Sequence, residues 1–248
     1  MKKIMEIENL KKSYYTNSGE IIAIEDFSFS FEEGKFITIV GPSGCGKSTL
    51  LSIIANLEEK TSGNITKGNE KIGYMFQQDA LFSWRTVLNN CLISLEINNN
   101  KNIKTKEKVI NLLKKYGLED FIYKYPNELS GGMRQRVALI RTLVSNPDIL
   151  LLDEPFSALD YQTRLSLSDD IYKIIKDEGK TAIMVTHDIA EAISLSDIII
   201  IMSNRPSKIK KIIEINLTNK STPINNRKCN EFNYYYDLIW KEIDHHEL

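Results

Sequence analysis

Cysteine is scarce in this chain. There are three among 248 residues, at Cys45, Cys91 and Cys229, widely spaced and odd in number. That fits neither a disulfide framework nor a tight metal-ligand spacing, and it points to a reducing compartment. Net charge is equally sparse. The 32 basic and 33 acidic residues nearly cancel, which removes the electrostatic reason to expect a nucleic-acid partner or an anionic membrane surface. Long apolar runs are missing too. The start is interrupted by Glu6 and Glu8, unlike a signal peptide, and the longest candidate, Ile198 to Met202, is strand-sized. Work at a membrane would therefore require docking on another protein that crosses it. No internal repeat and no long linker breaks the chain.

What is present is a 42% hydrophobic composition, enough for a large buried core. Phe36–Val40, Ile149–Leu152 and Ala182–Val185 read as buried parallel strands. Helical segments follow the first, at Thr49–Leu57, and the second, at Tyr161–Asp177. That alternation predicts an α/β fold with a parallel sheet covered on both faces, its ligands at the carboxyl ends of the strands. Ile4–Leu10 and Ile22–Phe31 alternate in polarity and are expected as antiparallel edge strands. Residues 85–145 carry helical periodicity, as in Val109, Leu112, Leu113 and Tyr116, with a polar loop at 98–102.

The chemistry-bearing residues follow those runs. Gly41-Pro42-Ser43-Gly44-Cys45-Gly46-Lys47-Ser48-Thr49 fits G-x-x-x-x-G-K-[ST] between a strand and a helix. Its glycines let backbone N–H groups turn toward phosphates, and the helix N-terminus adds partial positive charge. Lys47 is expected to reach the β- and γ-phosphates of ATP, and Ser48 to ligate Mg²⁺ through oxygen. Cys45 is either a tolerated small residue or a redox switch.

The strand Ile149–Leu152 ends in Asp153 and Glu154. Adjacent carboxylates also serve as caps or solvated turns, but the upstream cradle favours chemistry. Asp153 is placed to hold Mg²⁺, and Glu154 to take a proton from the attacking water. His187 follows a third strand of the same sheet through Thr186 and is expected at the same site.

Leu129-Ser130-Gly131-Gly132-Met133-Arg134-Gln135-Arg136 offers a hydroxyl and two glycine N–H groups at a helix start, a second anion site in one chain. This segment resembles the signature motif of ABC ATPases. The resemblance extends over nearly the whole chain and implies a P-loop NTPase core, with an N-terminal antiparallel β subdomain and an inserted α-helical subdomain. The implied division is residues 1–35 with 60–76 for the β subdomain and 36–59 with 146–230 for the nucleotide-binding core. Residues 85–145 would form the helical subdomain, and 231–248 a C-terminal helix and tail.

The resemblance assigns further roles. Gln77 matches a glutamine that contacts Mg²⁺ and water, with Gln78 as the alternative. Tyr14 matches the aromatic that stacks on adenine, with Tyr15 as the alternative. Ser157-Ala158-Leu159-Asp160 matches a loop that crosses a dimer interface. Ser130, Gly131 and Gly132 would cap the ATP held by a second, facing ATPase subunit. The segments Gln77–Trp84, Thr186–Ala192 and Met202–Pro206 look like the nitrate/sulfonate/taurine importer ATPases, with Ser83 where that subgroup usually has proline. The implied protein is a peripheral subunit on the cytoplasmic face of the membrane. It would dock on a permease around Gln77–Trp84 and be served indirectly by an extracytoplasmic solute-binding protein. An exporter subunit and a soluble, non-transport ABC ATPase are the alternatives. The aromatic-rich stretch Glu231–Glu242 is read as a helix packing on the domain or as a regulatory contact. His245-His246 is given no role.

Overall fold

A computed structural model describes residues 2–17, 19–100, 102–157 and 159–243. His245, His246 and Ala158 lie outside the described residues. The strands are β1 (Lys3–Thr16), β2 (Gly19–Glu32), β3 (Phe36–Val40), β4 (Ser62–Lys67), β5 (Ile72–Met75), β6 (Ile149–Asp153), β7 (Thr181–Val185), β8 (Ile198–Met202) and β9 (Ser207–Glu214). The helices are α1 (Lys47–Ile54), α2 (Val87–Cys91), α3 (Ile93–Ile97), α4 (Ile103–Lys115), α5 (Gly131–Val144), α6 (Tyr161–Asp177), α7 (Ile189–Leu195), α8 (Pro223–Asn226) and α9 (Glu231–Ile243).

The strands form one mixed sheet in the order β4-β1-β2-β9-β8-β3-β7-β6-β5. From β8 to β5 neighbours run parallel. Every residue of β3 and β7 is buried, which is why these strands read as unbroken apolar runs: helices cover both faces. Leu50, Leu51 and Ile54 of α1 pack with Ile37, Ile39, Leu151 and Ile183 on one side. Leu139 of α5 and Leu167, Ile171 and Ile174 of α6 pack with Leu150, Leu152 and Met184 on the other. Pairing of Ile39 with Val185, and of Asp153 with Val185, aligns the carboxyl ends of β3, β7 and β6. The residues after them therefore emerge side by side.

The first two strands are not edge strands. β1 lies between β4 and β2, with Ile7 opposite both Phe29 and Ile65. β2 continues the sheet through Ile24 opposite Ser207 of β9. Their alternation comes from a sheet with one face packed and the other exposed, a pattern that does not tell an edge strand from an inner one. The 60–76 segment is split between two environments. β4 pairs antiparallel with β1, whereas β5 joins the parallel strands against β6. That second pairing delivers Gln77 to the carboxyl edge.

Among the described residues of 87–144 lie the α-helices α2 to α5. Their core is Val87, Leu88, Cys91, Val109, Leu113, Val137 and Ile140. Helix α9 buries Phe232 and Ile239 against Ile193, Ile199, Ile201 and Ile213, with Tyr235 and Leu238 beside them. Its aromatic content thus includes an ordinary packing face.

Candidate functional site

The loop from β3 to α1 closes on its own lysine. Gly44 and Gly46 have φ of 76° and 108°, conformations that residues with a Cβ rarely adopt. Helix α1 starts at Lys47 with Gly46 as its N-cap and no side-chain cap, so no side chain competes for its first N–H groups. The Lys47 ammonium is buried and donates to Gly41 O at 2.8 Å and Pro42 O at 3.0 Å. Ser43, Gly44 and Ser48 are exposed at the loop surface. Cys45 is buried, and burial pushes its thiol pKa up in spite of Lys47 nearby. A thiol held protonated and inaccessible is a poor redox switch.

The carboxylate pair at the carboxyl end of β6, Asp153 and Glu154, is shared between neighbouring elements. Ser48 Oγ donates to Asp153 Oδ1 at 2.9 Å, and Tyr74 Oη donates to Asp153 Oδ2 at 3.0 Å. Burial raises the Asp153 pKa although both hydroxyls oppose the shift. A cation there would restore the charge that burial disfavours. The Ser48 hydroxyl and the Asp153 carboxylate are hard oxygen donors of the kind Mg²⁺ takes, so the residues fit the ion.

Glu154 sits at φ 44° with its N–H donated to Val185 O at 3.0 Å. A non-glycine residue at positive φ stores strain, and such positions cluster at functional sites. The carboxylate lies between two partners. His187 Nδ1 is 3.3 Å from Oε1, and Gln77 Nε2 donates to Oε2 at 3.2 Å. Gln77 Nε2 also approaches Ser157 Oγ at 3.3 Å, and Ser157 Oγ donates to Glu154 O at 3.1 Å. It is Gln77, not Gln78, that reaches Glu154.

Tyr14 is half-buried, with its hydroxyl 3.4 Å from Thr49 Oγ1 in α1. Lys12 Nζ stands 4.7 Å from its ring centroid. Tyr15 is 78% exposed, so of the two tyrosines only Tyr14 touches the end of the phosphate loop.

The Ser130–Gly132 turn is built differently. Ser130 N-caps α5, its Oγ accepting from Met133 N at 3.3 Å. Gly132 is buried against α6, where a Cβ would stand 2.8 Å from Thr163 Cγ2. A side chain at this position would therefore disturb the close approach of α5 to α6. Asp160 N-caps α6, accepting from Thr163 N at 3.0 Å and Thr163 Oγ1 at 2.6 Å. No hydrogen bond among the described residues joins the Ser130–Gly132 turn to Gly41–Thr49.

Helix α5 is tied to the segment that begins at Gln77. Arg134 Nε donates to Asp79 Oδ2 at 2.9 Å, Arg141 donates to the carbonyls of Ala80 and Asp79 at 2.6 and 2.8 Å, and Gln135 Nε2 donates to Gln77 O at 3.4 Å. A cleft of ≈ 700 Å³ opens there, lined by Gln77, Leu81, Gly131, Arg134, Ser157 and Leu159. Sequence reading missed Tyr74 and the particular role of Ser157. The tyrosine's polar tip at the end of a short apolar strand was the available signal.

Known proteins resemble this chain over most of its length. The ABC transporter family profile matches residues 24–157. The uncharacterized ABC transporter ATP-binding protein YtlC of Bacillus subtilis (strain 168) is 44% identical, over 97% of this chain and 95% of that protein. The aliphatic sulfonates import ATP-binding protein SsuB of Bacillus anthracis is 43% identical, over 86% of this chain and 87% of that one. A dimeric, post-hydrolysis structure of the ATP-binding cassette MJ0796, bound to ADP and Pi, superposes with a TM-score of 0.72 at 31% identity, covering 86% of this chain and 99% of that one. The chain belongs to the ABC transporter family, as an ATP-binding subunit with a P-loop NTPase fold.

Proposed function

We propose that this subunit hydrolyses ATP to drive import of a small anion or organic solute of the nitrate/sulfonate/taurine class through a separate membrane permease. The observation that carries the hydrolytic reading is the placement of Glu154. Its carboxylate is held between His187 and Gln77, one residue after an Asp153 already hydrogen-bonded to Ser48 of the phosphate loop. The import reading rests on the likeness to SsuB, whose name states import of aliphatic sulfonates.

Each residue has a task in this reading. The N–H groups of Gly41–Thr49 and the Lys47 ammonium bind the phosphates, Lys47 exchanging carbonyl partners for phosphate oxygens. Magnesium, bound with ATP, neutralises phosphate charge, and Ser48, Asp153 and Gln77 are the residues that would hold it. Glu154 accepts a proton from the attacking water, His187 orients that carboxylate and faces the γ-phosphate, and Tyr14 supports the adenine.

Among the described residues, neither the Ser130–Gly132 turn nor Asp160 makes a hydrogen bond to the chain's own phosphate loop. They serve the nucleotide of a second copy facing head to tail; that the MJ0796 cassette is dimeric supports a paired arrangement. Closure on ATP and opening after hydrolysis then form a two-state cycle driven by differential contacts. Exposed Phe82 and Trp84 beside the Gln77 segment belong to the permease contact. An extracytoplasmic binding protein delivers the solute, and the subunit sits on the cytoplasmic face of the membrane. Among the described residues no helix is long and apolar enough to cross it. The division into a β subdomain, a nucleotide core, the 85–145 helical subdomain and a C-terminal helix is part of the same proposal.

The test is to solubilise native membranes gently, capture this chain and identify its partners by mass spectrometry. Co-purification of a multi-span permease, with a secreted binding protein, supports import. Recovery with ribosomes or DNA-repair factors alone overturns the transport assignment.

A further inference from the structure

Arg164 lies in the first turns of α6 and spends its guanidinium away from its own helix face. Nη2 donates to the carbonyl of Leu159 at 3.2 Å, in the segment just before α6. Nη1 donates to Asp188 Oδ2 at 3.2 Å, immediately after His187. Nε stands 3.6 Å from Glu191 Oε1, an ion pair with a carboxylate that is almost fully buried. One fork thus spans two segments that are remote in sequence.

The His187 loop is held from both sides by the residues that Arg164 reaches. Asp188 Oδ1 accepts from Glu191 N at 3.0 Å and so caps α7. Glu191 Oε2 accepts from Thr186 Oγ1 at 2.8 Å, and Thr186 Oγ1 accepts from Asp188 N at 3.1 Å. Thr186 N in turn donates to Ile39 O at 3.3 Å. The flanking residues Thr186 and Asp188 are therefore locked, while the His187 side chain between them is 59% exposed and free to point at Glu154. A planar guanidinium can donate to the Leu159 carbonyl and the Asp188 carboxylate at once while its charge faces Glu191, whose Oε1 lies too far from Nε for a hydrogen bond.

We propose that Arg164 is a positioning residue that ties the His187 loop to the Leu159–Asp160 segment, so that a shift of that segment is transmitted to His187. This rests on the catalytic-site reading above for its consequence, but the physical tie stands on its own geometry. Leu159 Cδ2 lies 3.0 Å from where a Cβ on Gly131 would stand, so its side chain sits close beside that glycine. A displacement of the Ser130–Gly132 turn thereby has a short route through Leu159 and Arg164 to His187.

The experiment uses the full chain and the variants Arg164→Met and Arg164→Lys. Hydrogen exchange read by mass spectrometry is expected to show residues 186–191 opening roughly tenfold faster in Arg164→Met, with the interior of α6 still protected. Steady-state ATP hydrolysis is expected to lose on the order of tenfold in kcat with KM within about twofold, because the group displaced is one that acts on the reacting atoms rather than on ground-state binding. Arg164→Lys, which keeps charge but not the fork, should fall between. Unchanged exchange at 186–191, or a raised KM with wild-type kcat, overturns the proposal. Should Arg164→Met fail to fold, Asp188→Asn keeps the cap acceptor while weakening the charge pair, and must move both readouts in the same direction. His187→Ala separates the two ideas: full turnover in that variant overturns the role of His187, and the exchange result still decides the tie.

Discussion

His187 Nδ1 and Glu154 Oε1 lie 3.3 Å apart, although the two residues leave different strands, β7 and β6. The contact exists because Asp153 and Val185 are paired in register at the ends of those strands. It places a histidine where it can hold the carboxylate that stands beside the Ser48–Asp153 pair. The first expectation concerns this carboxylate. Glu154→Gln keeps the shape and both neighbours but cannot accept a proton. ATP hydrolysis should fall about a hundredfold or more, while ATP binding persists and an ATP-bound dimer accumulates. Turnover assays and size-exclusion chromatography with ATP check it, and wild-type turnover removes Glu154 from its role.

Ser130→Arg tests whether the second anion site serves another subunit. Ser130 is bonded to Met133 of its own helix, not to the phosphate loop. Binding of ATP by the isolated chain should be unchanged, whereas ATP-driven dimerisation should be lost through bulk and lost capping. A variant that still dimerises with ATP sinks the composite-site idea.

Gly132→Ala probes the packing of α5 on α6. The added Cβ would meet Thr163 Cγ2 at 2.8 Å, and overpacking of that kind costs about 1–3 kcal/mol, partly offset by alanine's better helix propensity. Urea denaturation should show the loss. Adding Thr163→Ser removes the methyl and keeps the hydroxyl bonded to Asp160, so the double variant should recover most of it. Equal stability of the single variant and wild type contradicts the steric account.

Glu191→Gln carries a pH signature. Burial first, then the Asp188 charge, raises the Glu191 pKa to about 7, with Thr186, Arg164 and Arg227 opposing. A carboxyl whose folded pKa lies above its unfolded value near 4.5 stabilises most below that value and loses the contribution as pH rises to about 7. The neutral glutamine does not suffer that loss. Relative to wild type, the variant's Tm should therefore be higher at pH 8 than at pH 5. A difference independent of pH over that window refutes the assignment.

Much of this site was legible in the residues alone, and the rest was not, for physical reasons. The buried strands were readable because helices on both faces demand unbroken apolar runs, and Phe36–Val40 and helix Tyr161–Asp177 stand where the pattern puts them. The phosphate loop was readable because its glycines and lysine are a local solution, complete within nine residues. Ser130 as a cap and Asp153–Glu154 at a strand end are local in the same sense.

What lies between remote segments was set only by packing. Alternation in β1 and β2 reports one covered face, so their inner places in the sheet depended on β4 and β9 arriving beside them. Tyr74 became a partner of Asp153 because β5 pairs with β6. The choice of Gln77 over Gln78 depended on which side chain faces Glu154 when that strand ends. The reach of Arg164 to Leu159, Asp188 and Glu191 required α6 to lie against α7. Local sequence determined which groups this chain carries and the conformations of the turns that present them. The three-dimensional register of the strands decided which of those groups meet, because a hydrogen bond forms within about 3 Å and the chain order of its partners has no part in that distance.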